Sequence, residues 1–558
     1  MREKGDLDEA IASYRRALAI EPARSDAHYG LGAAQAAKGL LDEAAWSYCR
    51  AGNELHDAGR YDDALTTYRS ALALRPEHPA AHGGIGLVLA ARGKLEEAVA
   101  SYHRALAADA ALAPIYNNLA NARKSQGRIT EAVANFRRAV ELQPANRGIH
   151  SNLLYCLQYD PGMTPGALLA EHQAYGARFP ALPPMAHGNP QEPDKLLNIG
   201  YVSPDFHQHP VAFLLLPVLA MHDRAKFVVH CYYGHRAEDG ITGALKRHAD
   251  VWRSTAGVGD DALVDMIRND GIDILVDLAG HTATNRLPVF ARKPAPVQVS
   301  WAGYEGTTGL GAIDYLLTDR FLSPPGSERY ATEELVRLPH GYVCWAMPSH
   351  APAVGPLPAK VPGAVTFGCF NNLAKINPLV IALWGRLLRE LSESRLVLKT
   401  AELRDPAAQG RIRELFAAEG IGADRIDLEG PSPHPDYLQR HNRIDIVLDP
   451  FPFSGGVTTV DALWMGVPVV TLPGERFASR HSLSHLSVAG LGDLVADGPE
   501  DYLRIAEALA HDLPRLAALR ASLRERVSAS PLRRSREFIG GLEAALRAMW
   551  RTWCERAG

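Results

Sequence analysis

Two glycines, two hydroxyls and a carboxylate fall within seven residues at Gly455-Gly456-Val457-Thr458-Thr459-Val460-Asp461. Residues of these types suit the binding of an anion, most simply a phosphate. Glycines without a Cβ admit close approach to the backbone, a helix starting there offers unpaired N–H groups and the positive end of the peptide dipole, and the hydroxyls add donors. Asp461, just beyond the threonine pair, is within reach of sugar hydroxyls on a ligand whose phosphates occupy the loop. The same residues also suit a Gly-rich turn that merely joins strand to helix, because such loops recur without ligands.

Several other chemistries are absent from the sequence. It has no Gly-x-Gly-x-x-Gly or Walker loop, no His-Glu-x-x-His and no Gly-x-Ser-x-Gly elbow. Its Asp-x-Asp, Asp6-Leu7-Asp8, lies in the N-terminal third, away from the glycine loop, which argues against a divalent metal holding a diphosphate. Without a metal, a diphosphate must be neutralised by helix starts, hydroxyls and cations, and Thr458, Thr459 and Lys375 suit that work.

These residues need a scaffold that brings them to one place. The β-branched run at 444–448 before the glycine loop and the run at 467–472 after it read as buried parallel strands, with a short helix opening at Thr458-Thr459 and ending at Gly466. Further strands are expected at 196–202, 227–233, 272–278 and 297–301, with a helix at 260–269, and again at 365–370, 395–399 and 426–428. Two such sets predict two doubly wound α/β lobes, with ligands at the carboxyl ends of their strands. The loops at 203–209, 279–286, 301–309, 370–375 and 454–461 should therefore converge on one cleft.

The first third is a repeat array. Gly5, Gly39, Gly59, Gly93 and Gly127 each open a similar phrase, with separations of 34, 20, 34 and 34 residues. Small residues at Ala10, Ala44, Ala64, Ala98 and Ala132, each followed four residues later by Tyr14, Tyr48, Tyr68, Tyr102 or Phe136, resemble the tetratricopeptide repeat, in which alanine lets paired helices approach and the aromatic fills the next gap. Pro22, Pro76 and Pro144 should stop the second helices. The 20-residue interval predicts two units fused through a shared helix. The array opens in mid-repeat, which suggests an upstream portion. Such a solenoid is expected to bind extended protein segments, and Asn118 and Asn152, one period apart, form a partial asparagine ladder for a peptide backbone; the alternative is that the repeats only support the next domain. The boundaries read as 1–158 for the superhelix, 159–194 for a helical and Pro-rich linker, 195–350 for the first lobe and 351–558 for the second.

A formal net charge of -4 gives no basic field for nucleic acid or anionic lipid. There is no run of about 18 apolar residues and no apolar signal core at the start, so a cytoplasmic protein is expected. Six scattered cysteines without Cys-x-x-Cys spacing argue against disulfides and a zinc site.

Repeats followed by GYVSPDFHQHP, RKPAPVQVSWAGYEGTTG, CFNNLAKINP and GGVTTVDALWMGVPVVTLPGERFASR resemble the bacterial form of the O-linked N-acetylglucosamine transferases over nearly the whole chain. The resemblance implies a glycosyltransferase-B fold and inverting, metal-independent transfer from UDP-N-acetylglucosamine to Ser or Thr hydroxyls of proteins, with no cofactor. It places Lys375 on the diphosphate with Asn372 beside it, the Thr458–Thr459 pair on phosphate, Asp461 on ribose, Tyr437 against uracil and Arg440 on the base. Val457 stands where animal members carry a histidine, and Gly280-His281-Thr282 where they carry Gly-Tyr-Thr. His209 matches a histidine proposed as general base; a structural hydrogen-bonding role, with a phosphate oxygen or water chain taking the proton, is the alternative. Ala302 and Gly303 would shape the N-acetyl pocket, or simply make a tight strand-end turn. A related transferase with another UDP-sugar or an Asn acceptor, and a repeat scaffold with a non-catalytic nucleotide cleft, are the competing readings.

Overall fold

Short β-branched and aromatic runs make twelve strands in the computed structural model, which describes residues 2–179, 187–348 and 350–557. Part of the expected helical and Pro-rich linker, 180–186, lies outside the described residues. The strands are β1 (Leu197–Ser203), β2 (Phe227–Tyr233), β3 (Val251–Ser254), β4 (Ile274–Asp277), β5 (Val297–Ser300), β6 (Tyr315–Thr318), β7 (Glu334–Arg337), β8 (Thr366–Cys369), β9 (Arg395–Lys399), β10 (Ile426–Glu429), β11 (Ile446–Leu448) and β12 (Val469–Val470). They form two all-parallel sheets, ordered β3-β2-β1-β4-β5-β6-β7 and β10-β9-β8-β11-β12. In each sheet the order reverses beside its first strand, between β1 and β4 and between β8 and β11. Chain leaving the carboxyl ends of adjacent strands parts there to opposite faces and opens a crevice. The expected lobes and helix Asp260–Asn269 are present, while β3, β6 and β7 are additional to the expected strands. Both sheets have buried centres: β4, β5, β6 and β11 are buried at every position.

Contacts divide the chain into two compact units. One is Met1–Ile149 with Ala401–Arg411; the other is His150–Thr400 with Ile412–Gly558 and holds both sheets. In the first, the repeat alanines Ala44, Ala64, Ala98 and Ala132 and the aromatics Tyr68, Tyr102 and Phe136 are buried. Helices end at Ile20, Leu74 and Leu142, two residues before the three prolines. The fusion is a 17-residue helix, Leu41–Asp57, that packs on Ser25–Ala37 before it and Tyr61–Leu74 after it. A Cβ on Gly32 would meet the ring of Tyr48 in this helix at 3.0 Å, and a Cβ on the helix's own Gly52 would meet Tyr68 at 2.5 Å. One helix thus supplies the aromatic of one pair and the small residue of the next.

The discontinuous piece of this unit also has a local cause. Asp405 Oδ2 accepts from the backbone N–H of Leu95 at 3.1 Å, at the first turn of helix Leu95–Ala108, and Arg411 donates to the carbonyl of Gln126, just past helix Ala113–Ser125. An acid at a helix start and a base at a helix end each satisfy orphan backbone groups and complement the dipole.

Candidate functional site

The loops leaving β8 and β11 meet at one atom. After β8 the chain makes a single 3-10 turn, Leu373–Lys375. It brings the Lys375 ammonium back to donate to Asn371 Oδ1 at 3.0 Å and to the carbonyl of Ser454 at 2.7 Å. Thr458 Oγ1 donates to the same Asn371 Oδ1 at 3.1 Å. The ammonium also lies 4.4 Å from the centre of the Phe453 ring. Burial lowers the Lys375 pKa, opposed by attraction to Asp449 and Glu305. No carboxylate lies within ion-pair distance of this buried cation among the described residues, which leaves it available to an anion.

The glycine loop is held open from below. Asp449, the first residue beyond β11, accepts from Gly455 N at 2.7 Å and Thr471 Oγ1 at 2.7 Å. A Cβ on Gly455 would lie 2.5 Å from Thr459 Oγ1 and 2.7 Å from Thr458 Oγ1, so only glycine lets the loop fold over the threonines. Helix Val457–Trp464 starts there, and the sequence expectation for it and for Gly466 (φ +76) past its end holds. A cavity of about 230 Å³ opens at this helix start, lined by Lys375, Asn371, Asn372, Thr458, Gly456, Ala302 and Glu305 together with Tyr155, Tyr159 and His481. An adjoining cavity shares Val457 and Trp345 with it and is lined also by Asp461, Val460, Phe213 and His434.

Other expected residues take distinct places. Asp461 is buried without a side-chain hydrogen bond among the described residues, and burial raises its carboxyl to about 7. Thr459 turns away from the cavity, its hydroxyl 2.7 Å from Ser482 Oγ. Asn372 lines the cavity, its Oδ1 without a partner among the described residues. The Tyr437 ring is buried among Phe370, His441 and His434, the last stacked on it at 5.8 Å, so His434 is the ring that faces the adjoining cavity. Arg440 is paired with Glu429 at 2.6 Å.

On the first lobe, His209 is the N-cap of helix Pro210–Met221, and its Nδ1 accepts from Val211 N at 3.3 Å. Burial, then the neighbouring His207, lowers its pKa to about 4. Neutral, with Nδ1 accepting, the ring carries its proton on Nε2, so this nitrogen donates. Its neighbour Pro210 lines the cavity. After β5, Ala302 takes the left-handed conformation (φ +62), and a Cβ on Gly303 would lie 1.8 Å from the carbonyl oxygen of Leu278, so the Trp301–Gly309 loop lies flush against the end of β4. His281 is buried, with Nδ1 accepting from Ser151 Oγ at 3.0 Å and Nε2 donating to the Thr308 carbonyl at 2.9 Å.

Sequence reasoning passed over Asn371, Glu305, Tyr155 and Tyr159. The first stands four residues before Lys375, one helical turn, and the two tyrosines are spaced by four; both spacings carry the signal. Tyr159 stacks on Phe453 at 4.7 Å and so joins the turn after helix Arg147–Leu157 to the glycine loop. All six cysteines are buried and unpaired. Among the described residues there is no cluster of three or more His, Cys, Asp or Glu side chains fit to hold a metal, and no helix is long and apolar enough to cross a membrane.

The model of glycosyl transferase family 41 matches residues 177–351 and 356–542, and tetratricopeptide-repeat models match 1–39, 49–113 and 113–146. The chain is similar to a solved structure of a lysine-to-methionine mutant of the Thermobaculum terrenum O-GlcNAc transferase, at 36% identity and a TM-score of 0.85, over 93% of this chain and 99% of that one. It is 39% identical, over 70% of its length, to the probable UDP-N-acetylglucosamine–peptide N-acetylglucosaminyltransferase SPINDLY of Petunia hybrida, and 34% identical, over 68%, to the probable transferase SEC of Arabidopsis thaliana. It spans 42% and 40% of those two proteins, less than half of each.

Proposed function

Because the chain belongs to glycosyl transferase family 41, we propose that it moves N-acetylglucosamine from UDP-N-acetylglucosamine to serine or threonine hydroxyls of proteins, with inversion and without a metal ion. The observation that carries this reading is the buried Lys375 ammonium sharing Asn371 with Thr458 at the start of a helix. Cation, hydroxyl and free amides together match a diphosphate. As the bond from the anomeric carbon to the β-phosphate oxygen breaks, its electron pair passes to the phosphate. Lys375 meets the charge that grows there, and an interaction that strengthens in this way lowers the barrier. Asp461 takes the ribose hydroxyls, and His434, backed by the stacked ring of Tyr437, flanks the base. Ala302 and Gly303 border the N-acetyl group.

The names of the plant relatives support the donor and the peptide acceptor. The repeats present protein segments as acceptors, and a cytoplasmic setting fits six unpaired thiols. The test is to incubate the chain and a cell lysate with labelled UDP-N-acetylglucosamine, and separately with other labelled nucleotide sugars, and to locate the label by mass spectrometry. Label on Ser or Thr from UDP-N-acetylglucosamine is expected, unchanged by excess chelator. Label on Asn, or from another sugar alone, would replace this acceptor or donor.

A further inference from the structure

Glu305 is an acid where an anionic ligand would least welcome one. It lines the cavity that holds Lys375, and it also lines a second cavity behind the loop, beside Gln158 and His172. Its Oε2 is buried and has no hydrogen-bond partner among the described residues. Such an atom is open to a partner that arrives with a ligand.

The loop that carries it is fixed on both sides. Trp301 Nε1 donates to the Tyr342 carbonyl at 3.0 Å, and the Tyr304 hydroxyl lies 2.7 Å from His172 Nε2 and accepts from Gln158 Nε2 at 3.0 Å. The Glu333 carboxylate accepts from Thr307 Oγ1 at 2.6 Å and Thr308 N at 2.7 Å. The carboxyl is thus presented from a rigid loop, as recognition requires. Tyr155, Tyr159, Tyr304 and Tyr342 surround it, and burial raises it to about 7 against the pull of Lys375.

Charge settles what it faces. A carboxyl and a diphosphate repel, so the carboxyls of such a cleft must meet the neutral parts of the ligand. Asp461 lines the adjoining cavity with His434; Lys375 and Thr458 line the main cavity; Glu305 lines that main cavity together with the chamber behind it. Acid, cation, acid is the complement of a nucleoside, a diphosphate and a sugar. Resting on the nucleotide-sugar reading above, we propose that Glu305 binds hydroxyl groups of the donor's sugar and so helps to decide which sugar is accepted.

The experiment is calorimetry on the full chain with UDP, UDP-N-acetylglucosamine and UDP-sugars lacking the 3-, 4- or 6-hydroxyl, for the parent, Glu305→Gln and Glu305→Ala. UDP affinity should stay within about twofold in both variants. Affinity for UDP-N-acetylglucosamine should fall roughly tenfold or more in Glu305→Ala, the usual loss for a hydrogen bond to a charged group. One deoxy donor should bind the parent more weakly than the full sugar yet bind Glu305→Ala equally well, because the contact is then gone from both sides. Thermal melts of each variant guard against misfolding, and the near-isosteric Glu305→Gln should fold and lose a smaller share of the same preference. Equal losses for UDP and UDP-sugar would overturn the proposal, as would unchanged donor binding with reduced transfer. A parent chain that binds no UDP would overturn the nucleotide-sugar reading itself, and Glu305's role with it.

Discussion

Lys375 Nζ and Thr458 Oγ1 donate to the same oxygen, Asn371 Oδ1, at 3.0 and 3.1 Å. Two loops from two strands are tied through one amide, so the cation and the helix start move as a unit. A phosphate bound there, as proposed above, would compete for both donors at once.

Lys375→Met should therefore fold and still bind UDP measurably by calorimetry, while transfer falls by on the order of 10²-fold or more, the cost of removing a donor whose interaction grows as the bond breaks. Near-normal transfer would show Lys375 to be a spectator.

The threonine pair should separate. Thr458→Val should weaken UDP binding, since its hydroxyl lies on the cavity. Thr459→Val should leave UDP affinity nearly intact and instead lower stability by roughly 1–3 kcal/mol, read by denaturant melts, because Ser482 loses a buried partner. Equal loss of UDP affinity in both would mean that Thr459 reaches the ligand.

At His209 the expected outcome is retained transfer. His209→Asn keeps a capping acceptor for helix Pro210–Met221 and removes any basic nitrogen. If the ring were the base, the variant should lose about 10²-fold or more in kcat and its acid limb in a pH profile.

Acid should unfold the unit that holds the sheets. His172, with Nδ1 donating to the Leu168 carbonyl and Nε2 2.7 Å from the Tyr304 hydroxyl, is held near pKa 4 by burial, and His281 well below its ordinary value. Between pH 6.5 and 4 the unfolded chain binds protons that the folded chain refuses. Stability is then complete above about pH 6.5 and falls by ~1.4 kcal/mol per pH unit for each such histidine as pH drops through that window. Urea melts at pH 7, 6 and 5 measure the slope, which His172→Gln should reduce.

The legible parts of this molecule were those with a strong local signal. The glycine loop, helix Val457–Trp464 and strand β2 stand where the residues place them, because β-branched runs, capping glycines and period-34 repeats act over short distances. Strands β3 and β7 carry charged residues and are not buried, so they lack the continuous apolar run that marks β4 and β11. Side-chain direction was harder. Thr458 lines the main cavity while the Thr459 hydroxyl is taken up by Ser482, and Val457, Val460 and Asp461, at i, i+3 and i+4, line the adjoining one. The spacing of Asn371 and Lys375 is local, but the second donor to Asn371, Thr458, lies 87 positions away and is not written beside it.

The repeat unit closes on itself only late in synthesis. Leu95 receives its carboxylate cap from Asp405, 310 positions further on, so at ribosomal rates of 5–20 residues per second the helix waits about 15 to 60 s for that partner. During that interval the start of helix Leu95–Ala108 stands without its acid, and the Leu95 N–H is left to water.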